Sequence, residues 1–319
     1  MIDIIIPAYN AHNTIKRTLL SISKQKNIDN IKTYIVNDGS KNDYNSEIEP
    51  FSEIMDITEL KLKKNSGPGV ARQYGIDNSD SEFIIFIDSD DILASETSIK
   101  ILYDNIENSN YDVIKSTFLE QLNDDSLIEH KDDMIWLHGK IFRRDFINKN
   151  NIRFNNTYSN EDNGFNKLFF LFGANIKTIN EVTYIWLYNE NSITRVNNQM
   201  YSFYGLKGYI NNMLWASKTA LKNNYDTERI SYLLYQTLTA VYLYYIEFNE
   251  RQDSNTLLKE SVELFNLYNL YPLTDNEKKK IIFVEEYKSH CLELGEEKIK
   301  KPQIAFEEFL EKIKNQKTN

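Results

Sequence analysis

Three groups of residues have the types and spacing to do chemistry. The first is Asp88, Asp90 and Asp91, which close the segment FIIFIDSDDIL. Carboxylates this close repel one another and are costly to desolvate, so a cation or water must relieve them. Hard oxygen donors suit Mg²⁺ or Mn²⁺, usually shared with a substrate phosphate. Asp88 and Asp90 are expected on one side of the chain, because side chains alternate along an extended backbone. The second is KNSGPGVAR, Lys64 to Arg72: a tight turn into a helix whose free N–H groups and Arg72 fork suit a phosphate. The third is Glu161-Asp162, ahead of a helix with Phe165, Leu168, Phe169 and Phe172 on one face. Acids there complement the helix dipole, and a carboxylate pinned there can also act as a general base.

Other polar residues carry weaker signals. His138, in WLHGK, reads as structural rather than as a ligand, and His12, His130 and His290 show no metal-ligand spacing. The run Tyr242-Leu243-Tyr244-Tyr245 reads as core or oligomer contact.

The elements that must position these groups alternate in the first 120 residues. Short apolar runs at Ile2–Pro7, Thr33–Val36, Ile57–Leu62, Phe83–Ile87 and Val113–Phe118 read as buried strands. Between them, helical patterns cover Thr14–Gln25 with Asn13 as cap, Gly69–Ile76 behind Pro68, and Ser95–Asn108 with Ser95 as cap. The alternation predicts an α/β fold: a doubly wound, mostly parallel sheet, followed by a helical C-terminal region. Ligands bind such sheets beyond the carboxyl ends of the strands. Pro7-Ala8-Tyr9-Asn10, Asn37-Asp38-Gly39-Ser40 and Asp88-Ser89-Asp90-Asp91 follow three strands and should converge on one edge. After about residue 200 the alternation stops. Helices are expected through Met213–Leu221, Ile230–Phe248, Leu257–Leu270, Ile281–Leu294 and Ile304–Ile313, and seven of the ten glycines lie before residue 200. Residues 1–200 are thus expected to form the α/β domain, and 201–319 a separate helical region.

Composition bounds the setting. The 319 residues are 41% hydrophobic and 26% charged, typical of a globular protein. No apolar run approaches the ~20 residues that span a bilayer, and no leader pattern follows Met1. The lone Cys291 excludes an internal disulfide and fits a reducing cytoplasm. Of the net charge of −10, residues 201–319 carry −1, with 17 acids against 16 bases; the acidity lies in residues 1–200. That argues against a nucleic-acid backbone as the main partner.

Taken in order, IDIIIPAYNAHNTIKRTLLSISKQ, YIVNDGSKND, KNSGPGVARQYGI, FIIFIDSDDIL, HGKIFRRDFINKNNIRF, EDNGFNKLFF and ENSIT resemble the family 2 glycosyltransferases of GT-A fold, through roughly residues 2–195. The resemblance implies an inverting transferase that uses a nucleotide-diphosphate sugar, a UDP-sugar above all, with Mn²⁺ or Mg²⁺. It implies that Pro7, Ala8 and Tyr9 line the base pocket, that Asp38 hydrogen-bonds the base, and that Arg72 lies near base and phosphates. Asp88 and Asp90, flanking Ser89, would form the metal-binding D-x-D. Asp162 would be the base, with Glu161 beside it. The chain departs from the family's usual pattern at His12, where an acid is common, at Tyr184-Ile185-Trp186-Leu187, which lacks an arginine, and at Asn191, where some relatives place a ligating histidine. A nucleotidyltransferase on a similar sheet would need a basic, Gly-rich signature after the first strand, where Tyr9-Asn10-Ala11-His12 has neither. A non-catalytic saccharide-binding protein would not need both carboxylate motifs intact. By the resemblance, residues 1–200 would be the catalytic domain and 201–319 a helical region for acceptor binding or oligomerisation; the acceptor is open among glycan, teichoic acid, lipid-linked, protein and modified nucleic acid base, and the C-terminal helices could support a homo-oligomer.

Overall fold

The structure is a computed structural model that describes residues 1–26, 31–157, 159–190, 192, 199–247, 254–274 and 306–316. The expected helix Ile281–Leu294, with His290 and Cys291, lies outside these residues, as do Asn191 and most of ENSIT. The chain forms two compact units, Met1–Asn197 and Asn198–Asn319.

The first unit is built on one sheet of nine strands. The five segments expected as strands form β1 (Ile2–Ala8), β2 (Ile31–Asn37), β3 (Asp56–Lys61), β4 (Phe83–Phe86) and β6 (Val113–Gln121). Four further strands complete the sheet: β5 (Ile92–Leu93), β7 (Leu127–His130), β8 (Lys140–Arg143) and β9 (Ile176–Trp186). The order is β3-β2-β1-β4-β8-β6-β9-β5, with β7 paired to β6. Strands β3, β2, β1 and β4 run parallel; β8 enters antiparallel between β4 and β6. The apolar runs decide this arrangement. Ile4, Ile5 and Ile6 of β1 are fully buried, each worth about 2 kcal/mol or more relative to exposure. The register aligns Ala8 with Asn37 and Ile5 with Phe86, so the loops after β1, β2 and β4 share one edge.

Helices cover the sheet. Helix α1 (Ile15–Ser23) buries Ile15, Leu19 and Ile22, the face the spacing predicted. Its cap position is Thr14, not Asn13, and no side chain closes it. Helix α2 (Asn45–Ile48) is a single turn. Helix α3 (Pro68–Asp77) carries proline in its first turn, as expected. Helix α4 (Ser98–Ile106) starts three residues after the expected Ser95. Thr97 N–H donates to Ser95 Oγ and Ser95 N–H to Ser98 Oγ, a turn that holds off the helix. Helix α5 (Arg144–Lys149) is short, and α6 (Glu161–Leu171) buries Phe165, Leu168 and Phe169.

The second unit is helical: α7 (Gln199–Lys222), α8 (Thr227–Glu247), α9 (Ser254–Glu260), α10 (Val262–Leu270) and α11 (Phe306–Lys314). Its tyrosine run is core: Tyr242 and Tyr245 pack on Phe309 with centroids 5.4 and 5.2 Å apart.

Candidate active site

The loops after β1 and β2 are tied into one wall. Asp38 N–H donates to Ala8 O (2.9 Å), Asn10 N–H to Ser40 Oγ (3.0 Å) and Ala11 N–H to Tyr44 Oη (3.0 Å). Pro7 and Ala8 end β1, where Ala8 is buried, and Tyr9 is 50% exposed at the sheet edge. Asp38, expected to bond the base, sits at the end of β2 and is buried. Its two oxygens accept the N–H groups of Ser66 and Gly67 at 2.8 and 2.9 Å, clamping the turn that starts α3. Burial holds its carboxyl above the usual range, against those two bonds. Gly39, at φ +73°, lets the Lys64 backbone cross: a Cβ there would lie 2.4 Å from Lys64 C.

Arg72, in the first turn of α3, is 5% exposed. Its Nη1 donates to Glu161 Oε1 and its Nη2 to Asp88 Oδ1, both at 2.7 Å. Although burial works against its charge, Asp88 and Glu161 hold the guanidinium above its ordinary pKa. One side chain thus joins the end of β4 to the start of α6.

Beyond Ile87 the chain turns, with Asp91 N–H donating to Asp88 O (3.1 Å). The extended geometry expected to place Asp88 and Asp90 together is therefore replaced by a turn. It brings Asp88, Asp91 and His138 ligand atoms within 4.8 Å of one another. Ser89 and Asp90 are half-buried in the turn. Asp90 Oδ2 accepts Asn189 Nδ2 at 2.7 Å, and Arg17 Nη2 donates to the Asp90 carbonyl at 2.6 Å. Asp91, 1% exposed, accepts Tyr184 Oη (2.6 Å) and Leu187 N–H (2.9 Å). Tyr184 Oη in turn accepts Asp88 N–H (3.2 Å). Burial, then the charges of Asp90 and Asp88, push the Asp91 carboxyl well up. Burial also works to raise Asp88, but the charge of Arg72 outweighs it, with help from His138, and holds the carboxyl well below the usual range.

His138 was set aside as structural by its sequence context. It is 5% exposed, with Nε2 3.6 Å from Asp88 Oδ2 and 3.8 Å from Asp91 Oδ2. Burial lowers its pKa, so the ring is neutral at pH 7. Its Nδ1 has no hydrogen-bond partner among the described residues.

Helix α6 starts at Glu161 behind Asn160, which takes the left-handed conformation at φ 59°. Glu161 is 5% exposed and lies against Gly69, where a Cβ would meet Glu161 Cγ at 2.8 Å. Asp162, half-buried, accepts Asn163 N–H at 2.7 Å. Burial, then the neighbouring Glu161, push its carboxyl up to about 8. A carboxylate with that proton affinity is matched to taking a proton near neutral pH.

The structure brings Arg72, Asp88, Glu161 and Asp162 into one network, with Asp90 and Asp91 on the adjoining turn. These five acids face the buried Arg72 guanidinium and Arg17, so negative charge is in excess, and burial together with that charge pushes the Asp91 and Asp162 carboxyls up. Such a donor set fits a hard divalent cation. Both Asp91 oxygens accept hydrogen bonds, while Asp88 Oδ1 accepts one from Arg72 and Asp90 Oδ2 one from Asn189. His138 offers a ring nitrogen to the same group of ligand atoms as Asp88 and Asp91. Sequence spacing could not find His138, Tyr184 or the Arg72–Glu161 pair, since the partners lie 46 to 96 residues apart or arrive on strands with no apolar signature; only the WLHGK aromatic context hinted at the first.

Residues 3–159 match the family model for glycosyl transferase family 2. Glycosyltransferase GlyA of Streptococcus pneumoniae is 35% identical over 106 residues, 33% of this chain and 15% of that protein. The chain spans 15 to 43% of the length of the first curated glycosyltransferases it matches. Staphylococcus aureus TarS 1–349 in complex with UDP-GlcNAc superposes with TM-score 0.68 at 17% identity, over 83% of this chain and 80% of that one. The mannosyltransferase PcManGT of Pyrobaculum calidifontis, in complex with GDP-Man and Mn²⁺, gives 0.56 at 10% identity over 98% and 85%.

Proposed function

We propose, on the premise that this chain is a family 2 glycosyltransferase, that it moves a sugar from a nucleotide-diphosphate sugar to an acceptor hydroxyl with inversion. The observation that carries the reading is the Asp162 carboxyl, pushed up to about 8 and joined through Glu161 and Arg72 to Asp88. Asp162 takes the proton of the acceptor hydroxyl. The acceptor oxygen bonds to the anomeric carbon from the face opposite the nucleoside diphosphate, which leaves with the electrons of the broken C–O bond. Arg72 fixes the distance between the base helix and the Asp88 turn. The wall formed by Pro7, Ala8, Tyr9 and Asp38 takes the nucleotide, and Ser89 joins Asp88 and Asp90 on the phosphate side. Asp88 and Asp90 would hold a divalent cation, which would supply positive charge opposite the departing diphosphate.

A UDP-sugar is our reading of the donor, in keeping with the UDP-GlcNAc held by TarS; Mn²⁺ is in keeping with PcManGT. We assign the helical unit to acceptor binding or to self-association. No described helix is long and apolar enough to cross a membrane. With Mn²⁺, the protein should release UDP from at least one of UDP-glucose, UDP-galactose, UDP-GlcNAc or UDP-GalNAc. Asp90→Ala should abolish the Mn²⁺-dependent part of donor binding in calorimetry. A variant whose donor affinity still rises with Mn²⁺ as the native protein's does would overturn the cation assignment.

A further inference from the structure

Between the Asp88 turn and the base helix stand two tryptophans that the mechanism does not use. Trp136 and Trp186 are half-buried, with ring centroids 5.0 Å apart and planes tilted by 47°. Each also packs on His138, at 5.8 and 5.3 Å. The stack continues inward, with Tyr184 on His138 at 4.6 Å and 9°. The backbone beneath the pair is fixed. Asn166, one turn along α6 from Asp162, donates Nδ2 to the carbonyls of Ile135 and Trp136 at 3.0 and 2.9 Å. Lys140 Nζ donates to Trp136 O at 2.8 Å and is close enough to Asp162 for their charges to attract. Trp186 is followed by Leu187, whose N–H is bonded to Asp91. The indole pair is thus tied to the base helix on one side and to the aspartate turn on the other.

We propose that Trp136 and Trp186 form the acceptor subsite, and that the acceptor is a saccharide whose pyranose ring stacks on the indole pair. The inference rests on the glycosyl-transfer reading above and names the acceptor class of that site. A diphosphate has no use for an apolar surface, whereas the C–H faces of a pyranose carry partial positive charge toward the negative face of an indole. Recognition of this kind pairs aromatic walls with a few polar groups, here Asp162, while Asp133 holds the turn in place by accepting the Ile135 and Trp136 N–H groups and Lys140 Nζ. The 47° tilt selects further. A flat nucleobase lies parallel to one ring at a time, while a puckered ring presents diverging C–H bonds that meet both indoles.

The experiment uses the full chain with UDP and Mn²⁺, titrated with methyl glycosides and disaccharides of glucose, galactose, GlcNAc and GalNAc. Tryptophan emission is the readout. The chain has three tryptophans, and the third, Trp215, lies on α7 in the helical unit. A saccharide should change the emission of the native protein, and Trp136→Phe and Trp186→Phe should each remove part of that change. Trp136→Ala should raise the saccharide KM about tenfold, the scale of one aromatic stack, and the donor KM far less. A saccharide signal undiminished in both Phe variants overturns the proposal, because it reports Trp215. So does emission that responds to a nucleoside or a peptide and to no saccharide. Donor hydrolysis separates the two readings. If no nucleotide-sugar is hydrolysed, the transfer reading fails and this one falls with it. If a donor is hydrolysed and the tryptophans stay silent, only the acceptor subsite is lost.

Discussion

Asp162→Asn should have two opposite effects, on activity and on stability. The folded protein holds the Asp162 proton up to about pH 8, against an ordinary 3.8. The folded state therefore binds that proton more tightly than the unfolded chain does. Its contribution to stability is full below about pH 4 and is lost as pH rises toward 8. At about 1.4 kcal/mol per pH unit, the gap sets a ceiling of about 6 kcal/mol. Solvent reaches this half-buried carboxyl, so a measured effect on the order of 2 kcal/mol is expected. Asparagine mimics the protonated acid and has nothing to lose. Urea unfolding of both proteins at pH 5, 7 and 9 should show the variant gaining on the native protein as pH rises, to about 2 kcal/mol at pH 9. In Tm this is roughly 4–8 °C for a unit of this size. Transfer should fall at least ~100-fold in the variant while donor binding persists, and native kcat/KM should climb with pH to about 8. Stability curves that stay parallel from pH 5 to 9 would refute the perturbed carboxyl. Full transfer by the variant would refute the base.

Other perturbations probe the same network. Arg72→Met should cost about 3–5 kcal/mol in urea unfolding, because it strands the buried Glu161, and the double variant with Glu161→Met should recover most of it. Gly69→Ala should push Glu161 away, costing about 1–3 kcal/mol and lowering kcat with little change in donor affinity. Tyr184→Phe removes the donor to Asp91 and the acceptor of Asp88 N–H; it should cost about 1–3 kcal/mol and raise donor KM. Chelation of Mn²⁺ should lower the Tm of the donor-bound native protein and leave that of Asp88→Asn with the same donor unmoved.

The legible parts of the fold were those whose signal is local. Runs such as Ile4-Ile5-Ile6 and Phe83–Phe86 are buried on both faces of a parallel sheet and read as continuous apolar segments. Strand β9 gave no such signal, because polar Lys177, Thr178, Asn180 and Glu181 interrupt it. Strand β8 hid in KIFR, whose Lys140 is buried only because Asp133 and the Trp136 carbonyl receive its ammonium. In the site, the residue types were readable and their partners were not. Asp88 and Arg72 stood out by composition, yet their bond to each other depends on how α3 packs on β1, the strand that pairs with β4. Asp90 was expected to share its neighbour's orientation on an extended chain; the turn after Ile87 gave that position to Asp91.

Arg72 reaches one carboxylate 16 residues ahead and another 89 residues ahead. The bridge cannot close until β4 has paired with β1, on which α3 packs, and the distant helix has arrived. The matched family segment stops at residue 159, two positions before Glu161. A fragment trimmed to that segment would leave the guanidinium half-employed and carry no proton acceptor. The proposed base therefore joins the Arg72 network only where α6 packs against α3.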